Sequence, residues 1–559
     1  MNSIPITHQL HSAQHWNLKP GWRTAIVLVA LVVAMPILTV FGFLLQPATD
    51  VWQHLAHTSL PDYVVNSLLL MLGVGVGTLL LGVSTAWVSA TCEFPGRRVF
   101  EWALLLPMAM PAYIIAYTYT GLFDFAGPLQ SALRELSGWG YGDYWFPNIR
   151  SLPGAIIMLS LVLYPYVYLL ARAAFLEQSV CVLEVSRTLG ATPMHTFLRV
   201  AMPMARPAII AGLLLALMET LADYGTVQYF GISTFTTGIF RTWFGLGDAV
   251  AAAQLSALLM VFVFVLIMLE RWSRRAARYH ETGQRKRSLP RHRLTGWRMA
   301  VGLALCLTPL LFGFVLPAGQ LLVWAVRTAP NVVDASFLRL TFNSLSLAGS
   351  AALVTLAVGL FMAYGRRLHS DRTVQFAVRV AGLGYAIPGT VIAVGVMIPF
   401  AWLDNALDTW MRAQFGWSSG LLLSGTLIAL LFAYMVRFLA VALQTVEAGL
   451  GKIRPSMDDA ARVLGHSPSQ VLKRVHMPIL RGSLITAMLL VFVDVLKELP
   501  ATLVLRPFNF NTLAVRTYEL AADERLADAA TASLTIVLAG IIPVILLSRS
   551  ITHARSRHE

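Results

Sequence analysis

Long apolar stretches separated by short polar segments recur along the whole chain. The first two run from Ala25 to Leu45 and from Val64 to Ala90. A helix needs about 20 consecutive apolar residues to cross the hydrocarbon core of a bilayer, and each stretch is long enough. The other stretches begin near Trp102, Leu152, Ala208, Ala251, Met299, Asn343, Phe376, Leu421, Ser483 and Ala530. The pattern predicts an all-α integral membrane protein with about 12 transmembrane helices.

The composition supports the membrane class. Hydrophobic residues make up 57% of the 559 residues and charged residues only 13%, which lies outside the usual range of soluble globular proteins. The first apolar stretch follows a polar leader from Met1 to Arg23, as a secretory signal would. It is too long for a signal, and no small-residue cleavage pattern follows it. We therefore predict a retained span.

The net charge of +14 suggests either a membrane topology signal or a nucleic-acid partner. Ten of the 28 residues from Arg271 to Arg298 are Lys or Arg, and this run lies between two apolar stretches. An even number of predicted spans precedes it, so it lies on the same side as the N-terminus, and a basic bias marks the cytoplasmic side. We predict cytoplasmic termini and no nucleic-acid partner. Further basic residues fall on that side: Arg97, Arg98, Arg366, Arg367, Arg549, Arg555 and Arg557.

The chain contains two copies of one unit. The tripeptide Asn-Ser-Leu at 66–68 recurs 277 residues later at 343–345, and Pro111 recurs as Pro388. Between 184 and 206, nine of 23 positions match the residue 275 positions later. The pairs include Arg187/Arg462, Leu189/Leu464, Gly190/Gly465, Pro193/Pro468, Pro203/Pro478 and Arg206/Arg481, and further on Phe235/Phe510, Thr237/Thr512, Arg241/Arg516 and Thr242/Thr517. A repeat of this extent fixes the architecture.

Each copy contains six predicted spans. Because six is even, both copies enter the membrane in the same orientation and should pack around an axis along the membrane normal. We predict a first repeat at residues 1–270, a basic cytoplasmic linker at 271–298 and a second repeat at 299–559. A transport pathway at the interface of the two repeats would follow from this arrangement.

A long polar loop lies between the fourth and fifth predicted spans of each copy, at about 175–206 and 447–481. In the second copy Ser467 is suited to an N-cap, Pro468 to the first helical position, and Gln470 completes a capping box. Gly465 suits a helix C-terminus with positive φ. Pro478 is expected to end this short helix. Two short helices with a defined break are therefore predicted on the cytoplasmic face, although a simple connector is the alternative.

The first copy repeats these features, with Thr192-Pro193 at the helix start, Gly190 before it and Pro203 after it. The pattern Glu184, Gly190 and Pro203, and the pattern Asp459-Ala460-Ala461, Gly465 and Pro478, resemble the EAA loop of ABC-importer permeases. The second copy is the closer match, because Glu184 is followed by Val-Ser. In that family the short helix docks into a groove on a separate ATPase subunit. The docking residues implied are Glu184, Arg187, Gly190, Pro193, Asp459, Ala460, Ala461, Arg462, Gly465 and Pro468.

The resemblance also implies partners. The chain has no Gly-x-x-x-x-Gly-Lys-Ser/Thr sequence for phosphate binding, since its one Gly-Lys pair, Gly451-Lys452, is followed by Ile. We therefore predict no enzymatic activity and no cofactor of its own, with ATP and Mg²⁺ bound by two copies of a partner ATPase. A periplasmic or extracellular solute-binding protein and membrane lipid are the other implied partners, and the bacterial inner membrane is the implied location.

Four segments resemble the ferric-iron-type branch of these permeases. They are Met218–Gly231, Phe235–Gly238, Leu496–Thr502 and Arg506–Thr512. Members of that branch receive ferric iron from a periplasmic binding protein, and related permeases carry thiamine, phosphonates, polyamines or oxyanions. The resemblance therefore implies a ferric-iron importer with two fused halves, and import of another solute is the alternative.

Four carboxylates are candidates for the transport pathway. Glu219 and Asp223 are four residues apart, as are Asp494 and Glu498 at the equivalent positions, so each pair shares one helix face. Ionisable groups at membrane depth usually face a pathway or a partner, and oxygen ligands suit highly charged cations. Alternatively, both pairs lie at the outer ends of their spans. The cations that would then neutralise them are Lys497, Arg241 and Arg516.

The tyrosines Tyr113, Tyr117 and Tyr119 could add oxygen ligands, but a lipid-facing aromatic belt is the preferred interpretation. No histidine or cysteine spacing indicates a metal site, so the metal ligands stay unassigned. An ion-coupled secondary transporter also uses internal repeats, and a membrane enzyme would need a catalytic constellation. The duplicated loop favours an ATP-driven permease with alternating access over both.

Overall fold

The computed structural model describes residues 21–47, 49–140, 142–177, 192–275, 291–369 and 371–556. These residues are almost entirely helical. Within the described part of the chain, 11 helices are long and apolar enough to cross a membrane, or 12 if one sharply bent pair counts as a single span. The predicted fold class, an all-α membrane protein with two tandem repeats of six spans, is confirmed.

The first half begins with a long helix and alternates spans with short helices. Its π-helical or 3₁₀ segments are Phe43–Leu45, Leu106–Ala109, Phe197–Ala201 and Arg241–Gly245. Its α-helices are α1 Gly21–Gly42, α2 Asp50–Thr58, α3 Leu60–Thr91, α4 Arg97–Ala103, α5 Ala112–Phe123, α6 Pro128–Ser137, α7 Leu152–Glu177, α8 Pro193–Thr196, α9 Met202–Ala222, α10 Gly225–Tyr229, α11 Phe235–Phe240 and α12 Ala249–Arg275.

The second half follows the same order. Its π-helical or 3₁₀ segments are Leu311–Val315, Gly384–Ala386 and Leu472–His476. Its α-helices are α13 Gly296–Leu310, α14 Leu316–Val332, α15 Ala335–Leu368, α16 Arg372–Ala381, α17 Gly389–Phe415, α18 Leu427–Leu450, α19 Pro455–Val463, α20 Pro468–Val471, α21 Met477–Leu496, α22 Pro500–Leu505, α23 Leu513–Ala522 and α24 Leu526–Ser556.

The third predicted span is not straight. The expected helix from Trp102 onward is instead a pair, Arg97–Ala109 and Ala112–Ser137, bent by 90°. Pro107 and Pro111 explain the break, because proline lacks the backbone N–H that an α-helix needs and restricts the residue before it. The prediction of a continuous span here was wrong.

The repeated proline has the same role in both halves. Pro111 caps α5 with φ −58° and ψ 140°, and Pro388 caps α17 with φ −56° and ψ 140°. The predicted ninth span from Phe376 was therefore placed too early. Phe376 lies in the short amphipathic helix α16, and the long apolar helix begins only after Pro388. The sequence repeat is thus reproduced in the backbone.

The first span of each half packs against helices of the other half. α1 packs against α16 and α17, while α13 and α14 pack against α3 and α5. Close approaches mark both contacts. Gly395 of α17 lies against the backbone of Pro36 in α1, and Gly121 of α5 lies against the Trp324 ring in α14. The two halves are therefore interlocked rather than merely adjacent.

A short parallel sheet connects the halves where the chain returns from the linker. β1, Cys92–Glu93, pairs with β2, His292–Arg293. The backbone N–H of Leu294 donates to the Glu93 carbonyl at 3.0 Å, and Arg291 lies 3.6 Å from the Glu93 carboxylate. The segment before α13 is thereby held against the end of α3.

We predict that Gly395→Val weakens the interlock. An added Cβ at Gly395 would overlap the Pro36 backbone, and overpacking of this kind typically destabilises by about 1–3 kcal/mol. The midpoint of thermal unfolding in detergent should therefore fall. Gly349→Val in α15 is the matched control, because an added Cβ there meets no atom within 4 Å. Equal shifts for the two variants would contradict the prediction.

Candidate translocation site and docking loop

A cavity of about 130 Å³ is lined by residues of both halves. The four carboxylates singled out from the sequence all line it: Glu219, Asp223, Asp494 and Glu498. Glu219 lies in the last turn of α9 and Asp494 in the last turn of α21, while Asp223 and Glu498 follow the last residues of these helices. The structure therefore brings the two repeats' carboxylates together, and their part in transport stays a prediction.

One carboxylate of each pair caps a short helix. Asp223 accepts from the Val227 backbone N–H at 3.1 Å and from the Thr226 hydroxyl at 3.0 Å, at the start of α10. Glu498 accepts from the backbone N–H groups of Ala501 and Thr502, each at 3.1 Å, at the start of α22. Both acids satisfy helix N–H groups that have no partner within their helix.

The acids of the second half are ion-paired. Lys497 Nζ lies 2.8 Å from Asp494, as one predicted alternative required. Glu498 pairs with Arg437 at 3.1 Å, a partner that the sequence interpretation missed. Arg437 is the cation within the apolar stretch of α18, which was the available signal.

The other two cations proposed as neutralising partners lie elsewhere. Arg241 donates to the Ser233 hydroxyl at 3.2 Å, and Arg516 lies 3.8 Å from Glu519. Neither lines the cavity. The prediction that they neutralise the pathway carboxylates was wrong, because Arg241 begins the π-helical segment after α11 and Arg516 lies one turn into α23, and each contacts a different partner.

A glycine makes room for the buried ion pair. An added Cβ at Gly389, the first residue of α17, would overlap both the Arg437 guanidinium and the Glu498 carboxylate. The equivalent position in the first half is Ala112, and no ion pair between residues of the described ranges lies beside it. The close approach of α17, α18 and α21 at this point therefore depends on the absence of a side chain.

The three tyrosines do not form a lipid-facing belt. Tyr113, Tyr117 and Tyr119 are 6%, 1% and 2% exposed, so they are buried in protein. Tyr117 bonds to Ser533 and Tyr119 donates to the Phe312 carbonyl. Tyr113 lines the cavity, and its buried hydroxyl has no hydrogen-bond partner among the described residues. The preferred belt interpretation was wrong, because the broken third span turns these side chains inward.

The cavity contains charged groups but is not a preformed metal cage. Its lining carries four carboxylates and two cations, a formal charge of −2. Across the described residues, no group of three or more His, Cys, Asp or Glu side chains lies close enough together to hold a metal ion. A negatively charged cavity with few assembled ligands attracts a cation but binds it weakly.

The docking loop of the second half has the predicted two helices. α19 ends before Gly465, whose φ of 78° lies in the left-handed region that glycine adopts without strain. Ser467 caps α20, and Ser467 and Gln470 form the predicted capping box. Pro478 does not end α20, however. The helix runs on through the π-helical turn Leu472–His476 into α21, so Pro468–Leu496 is one helix, with Pro478 in the first turn of α21.

The surface of α19 combines charge with exposed apolar side chains. Asp459 and Ala460 are exposed, Ala461 is buried against the protein, and Arg462 lies 3.5 Å from Asp459. Val463 and Leu464 at its C-terminus are 87% and 75% exposed. Exposed apolar residues beside a rigid helix are typical of a surface that binds another protein.

A partly buried cluster of polar side chains fixes α19 to two spans. Asp458 lies 2.8 Å from Arg367 of α15 and 2.6 Å from His476, which precedes α21. Arg367 also donates to the Leu450 and Ile453 carbonyls at 2.6 and 2.9 Å. Burial alone would raise the pKa of Asp458, but the hydrogen bonds with His476 and Arg367 hold that pKa below its usual range.

The first docking loop is only partly described. Glu184, Arg187 and Gly190 lie outside the described residues. Pro193 begins α8, which continues through the π-helical turn Phe197–Ala201 into α9, as α20 continues into α21. The two loops thus share the geometry of their second helix.

Family comparison identifies the architecture. Two segments, 78–279 and 355–557, match the binding-protein-dependent transport system inner membrane component. Together they cover more than half of the chain, and they begin 277 residues apart, the offset at which the Asn-Ser-Leu tripeptide repeats. The chain belongs to this family. It is an ABC-type permease of the inner membrane, multi-pass, with both family repeats in one polypeptide.

Relatives of this permease include full-length matches. It is 25% identical over 539 residues to the Fe(3+)-transport system permease protein FbpB 2 of Haemophilus influenzae, covering 95% of this chain and 98% of the relative. It is 22% identical over 510 residues to the putative ferric transport system permease protein FbpB 1 of the same organism, covering 86% and 76%. The molybdenum transport system permease protein ModB of Escherichia coli is 24% identical over 207 residues, covering 36% of this chain and 87% of the relative.

We predict that Arg437→Met destabilises the permease by about 3 kcal/mol, because it leaves the Glu498 carboxylate buried without a cation. The double variant Arg437→Met/Glu498→Gln should recover most of this loss, since the uncompensated charge is then absent. The measurement is the free energy of unfolding in detergent.

Arg516→Met is the matched control. Its ion pair with Glu519 is 41% and 30% exposed, so it should cost less than about 1 kcal/mol. A loss for Arg437→Met no larger than the control's, or a double variant as unstable as the single one, would show that the ion pair does not hold this part of the cavity together.

Proposed function

We propose that this permease is the membrane-spanning subunit of an ATP-driven importer that moves ferric iron from a periplasmic binding protein into the cytoplasm. The observation that carries the proposal is the cavity between the two halves, where carboxylates from both repeats converge with a formal charge of −2. Family membership supports the importer class, since an inner membrane component of this kind works with an ATPase and a binding protein.

The docking loops would transmit the ATPase's movement. α19 presents Val463 and Leu464 to the exterior and is held to the spans by Asp458. An apolar-tipped helix of fixed orientation fits a groove on a partner subunit. We propose two ATPase copies, one for each loop, with ATP and Mg²⁺ bound there and no cofactor on this chain.

The charge of the cavity favours a cationic cargo. The two relatives matched over 95% and 86% of this chain are described as ferric transport permeases, which supports iron. A net negative cavity opposes anions such as phosphonates or oxyanions through like-charge repulsion, whereas a polyamine or thiamine is a cationic alternative. An ion-coupled secondary transporter would need no docking helix, and the exposed apolar tip of α19 favours the ATP-driven class.

Orientation follows from the basic residues. We propose that the loops at 175–206 and 447–481, the linker at 271–298 and both termini face the cytoplasm, because positively charged segments are retained on that side. The repeats would then occupy 1–270 and 299–559 within membrane lipid.

We expect vesicles that contain this permease, its cognate ATPase and its binding protein to take up labelled ferric iron only when ATP is supplied inside them. Uptake is measured as filter-retained label, with a non-hydrolysable nucleotide as the control. Uptake of thiamine, a polyamine or another solute in place of iron would keep the importer and overturn the cargo. Uptake without ATP would overturn the importer itself.

We predict that Gly465→Val weakens binding of the ATPase and lowers iron uptake. The left-handed φ of Gly465 costs any side-chain-bearing residue about 1–2 kcal/mol, and a penalty of that size changes an equilibrium by about 5-fold to 30-fold. ATPase binding is measured by its retention on the immobilised permease. Gly482→Val in α21 is the control, because Gly482 has no positive φ and an added Cβ there meets nothing within 4 Å. Unchanged ATPase binding in Gly465→Val would exclude a role for this turn.

A further inference from the structure

The two halves contribute unequally to the cavity. In the second half Asp494 is paired with Lys497 and Glu498 with Arg437. Both oxygens of Glu498 are also engaged, because its Oε1 accepts from Arg437 and Ala501 while its Oε2 accepts from the N–H and hydroxyl of Thr502. No further ligand can be bound by Glu498 without breaking one of these contacts.

The first half keeps the carboxylates but lacks the cations. At the 275-residue offset, Lys497 corresponds to Ala222 and Arg437 to Val162, and both of these apolar residues line the same cavity. The carboxylates therefore recur in both halves, whereas the cations occur in one. Counted by half, the formal charge of the lining residues is −2 for the first half and zero for the second.

The carboxylates of the first half can also accept further contacts from a ligand. Glu219 lines the cavity and has no ion pair and no hydrogen bond among the described residues. Asp223 accepts only from Thr226 and Val227, neither of them charged. Tyr113 is 6% exposed and lines the same cavity, and its hydroxyl has no partner in the described part of the chain. A buried polar group without a partner is costly, and a bound ligand would supply the partner that Tyr113 lacks.

We propose that the cavity contains a single cation site, formed by Glu219 and Asp223 of the first half, and that Lys497 and Arg437 act as built-in counter-ions that close the equivalent position of the second half to a cation. The inference rests on the proposed function, since it assigns the cationic cargo to one side of the pathway. Hard oxygen ligands of this type suit a multivalent cation.

A weak and exchangeable site is consistent with the geometry. Two carboxylates supply fewer oxygen ligands than a cation such as Ca²⁺ takes when it is stably bound, and no group of three acids or other typical ligands is assembled among the described residues. If Lys497 and Arg437 were absent, four acids would face one small cavity, and a multivalent cation would be held more tightly. The counter-ions therefore keep the site weak enough for release.

The test uses terbium(III), a hard trivalent cation whose emission is sensitised by nearby aromatic side chains, titrated into the full-length permease in detergent micelles. Glu219→Gln should weaken the tightest binding phase by about tenfold or more, the loss expected when a ligand's coordination is disturbed. Ala222→Lys, which places the second half's lysine in the first half, should do the same. Each variant must elute from size exclusion as the unmodified protein does.

The matched control is the double variant Asp494→Asn/Lys497→Gln, which removes the second-half pair without changing the formal charge of the cavity. It should bind terbium as the unmodified protein does, while Lys497→Gln alone should bind more tightly. A double variant that loses as much affinity as Glu219→Gln would overturn the single-site proposal, as would a tight phase unaffected by Glu219→Gln.

Iron uptake by the same variants separates this inference from the proposed function. If the terbium results are as expected but the unmodified permease takes up no iron in vesicles, the proposal that iron is the cargo is rejected and the proposed cation site is kept. If iron is taken up but Glu219→Gln and Asp494→Asn slow the uptake equally, iron is kept as the proposed cargo and the single, asymmetric cation site is rejected.

Discussion

Every helix end inside a membrane needs partners for its backbone N–H groups within the protein, because the hydrocarbon region offers none. This constraint organises the centre of the permease. Asp223 and Glu498 satisfy the first turns of α10 and α22. The buried Glu498 carboxylate is neutralised by Arg437. This ion pair fits against α17 only because Gly389 has no side chain. The need to cap one broken helix thus determines how closely α17, α18 and α21 approach.

Fusion of the two repeats lets this centre be asymmetric. In a dimer of identical halves, the lysine and arginine beside the acids would each occur twice, and four carboxylates would face four cations with no net charge. A tandem chain can keep the capping acids in both halves while placing the cations in one. Ala222 and Val162 stand where Lys497 and Arg437 stand in the other half, and the cavity keeps a formal charge of −2.

The sequence was sufficient for features that depend on local pattern or on the repeat. Spans follow from apolar length, and the capped turn at Gly465 and Ser467 follows from residue types with narrow conformational preferences. The 90° bend near Pro111 was missed because the surrounding residues are apolar enough for a straight span, and only packing against the other half decides the direction after a break. The pairing of Arg437 with Glu498 was missed for a related reason, since the two are 61 positions apart and meet only through tertiary contact.

A single helix joins the docking loop to the cavity. Pro468–Leu496 spans 29 residues, about 43 Å at the rise of an α-helix, with the loop at one end and Asp494 near the other. His476, in the π-helical turn of this helix, bonds to Asp458 on α19. A displacement of α19 by an ATPase would therefore act on the same helix that carries Asp494 of the cavity. In the second half, α21 is therefore the element through which a movement of the loop would reach Lys497, which directly follows its last residue.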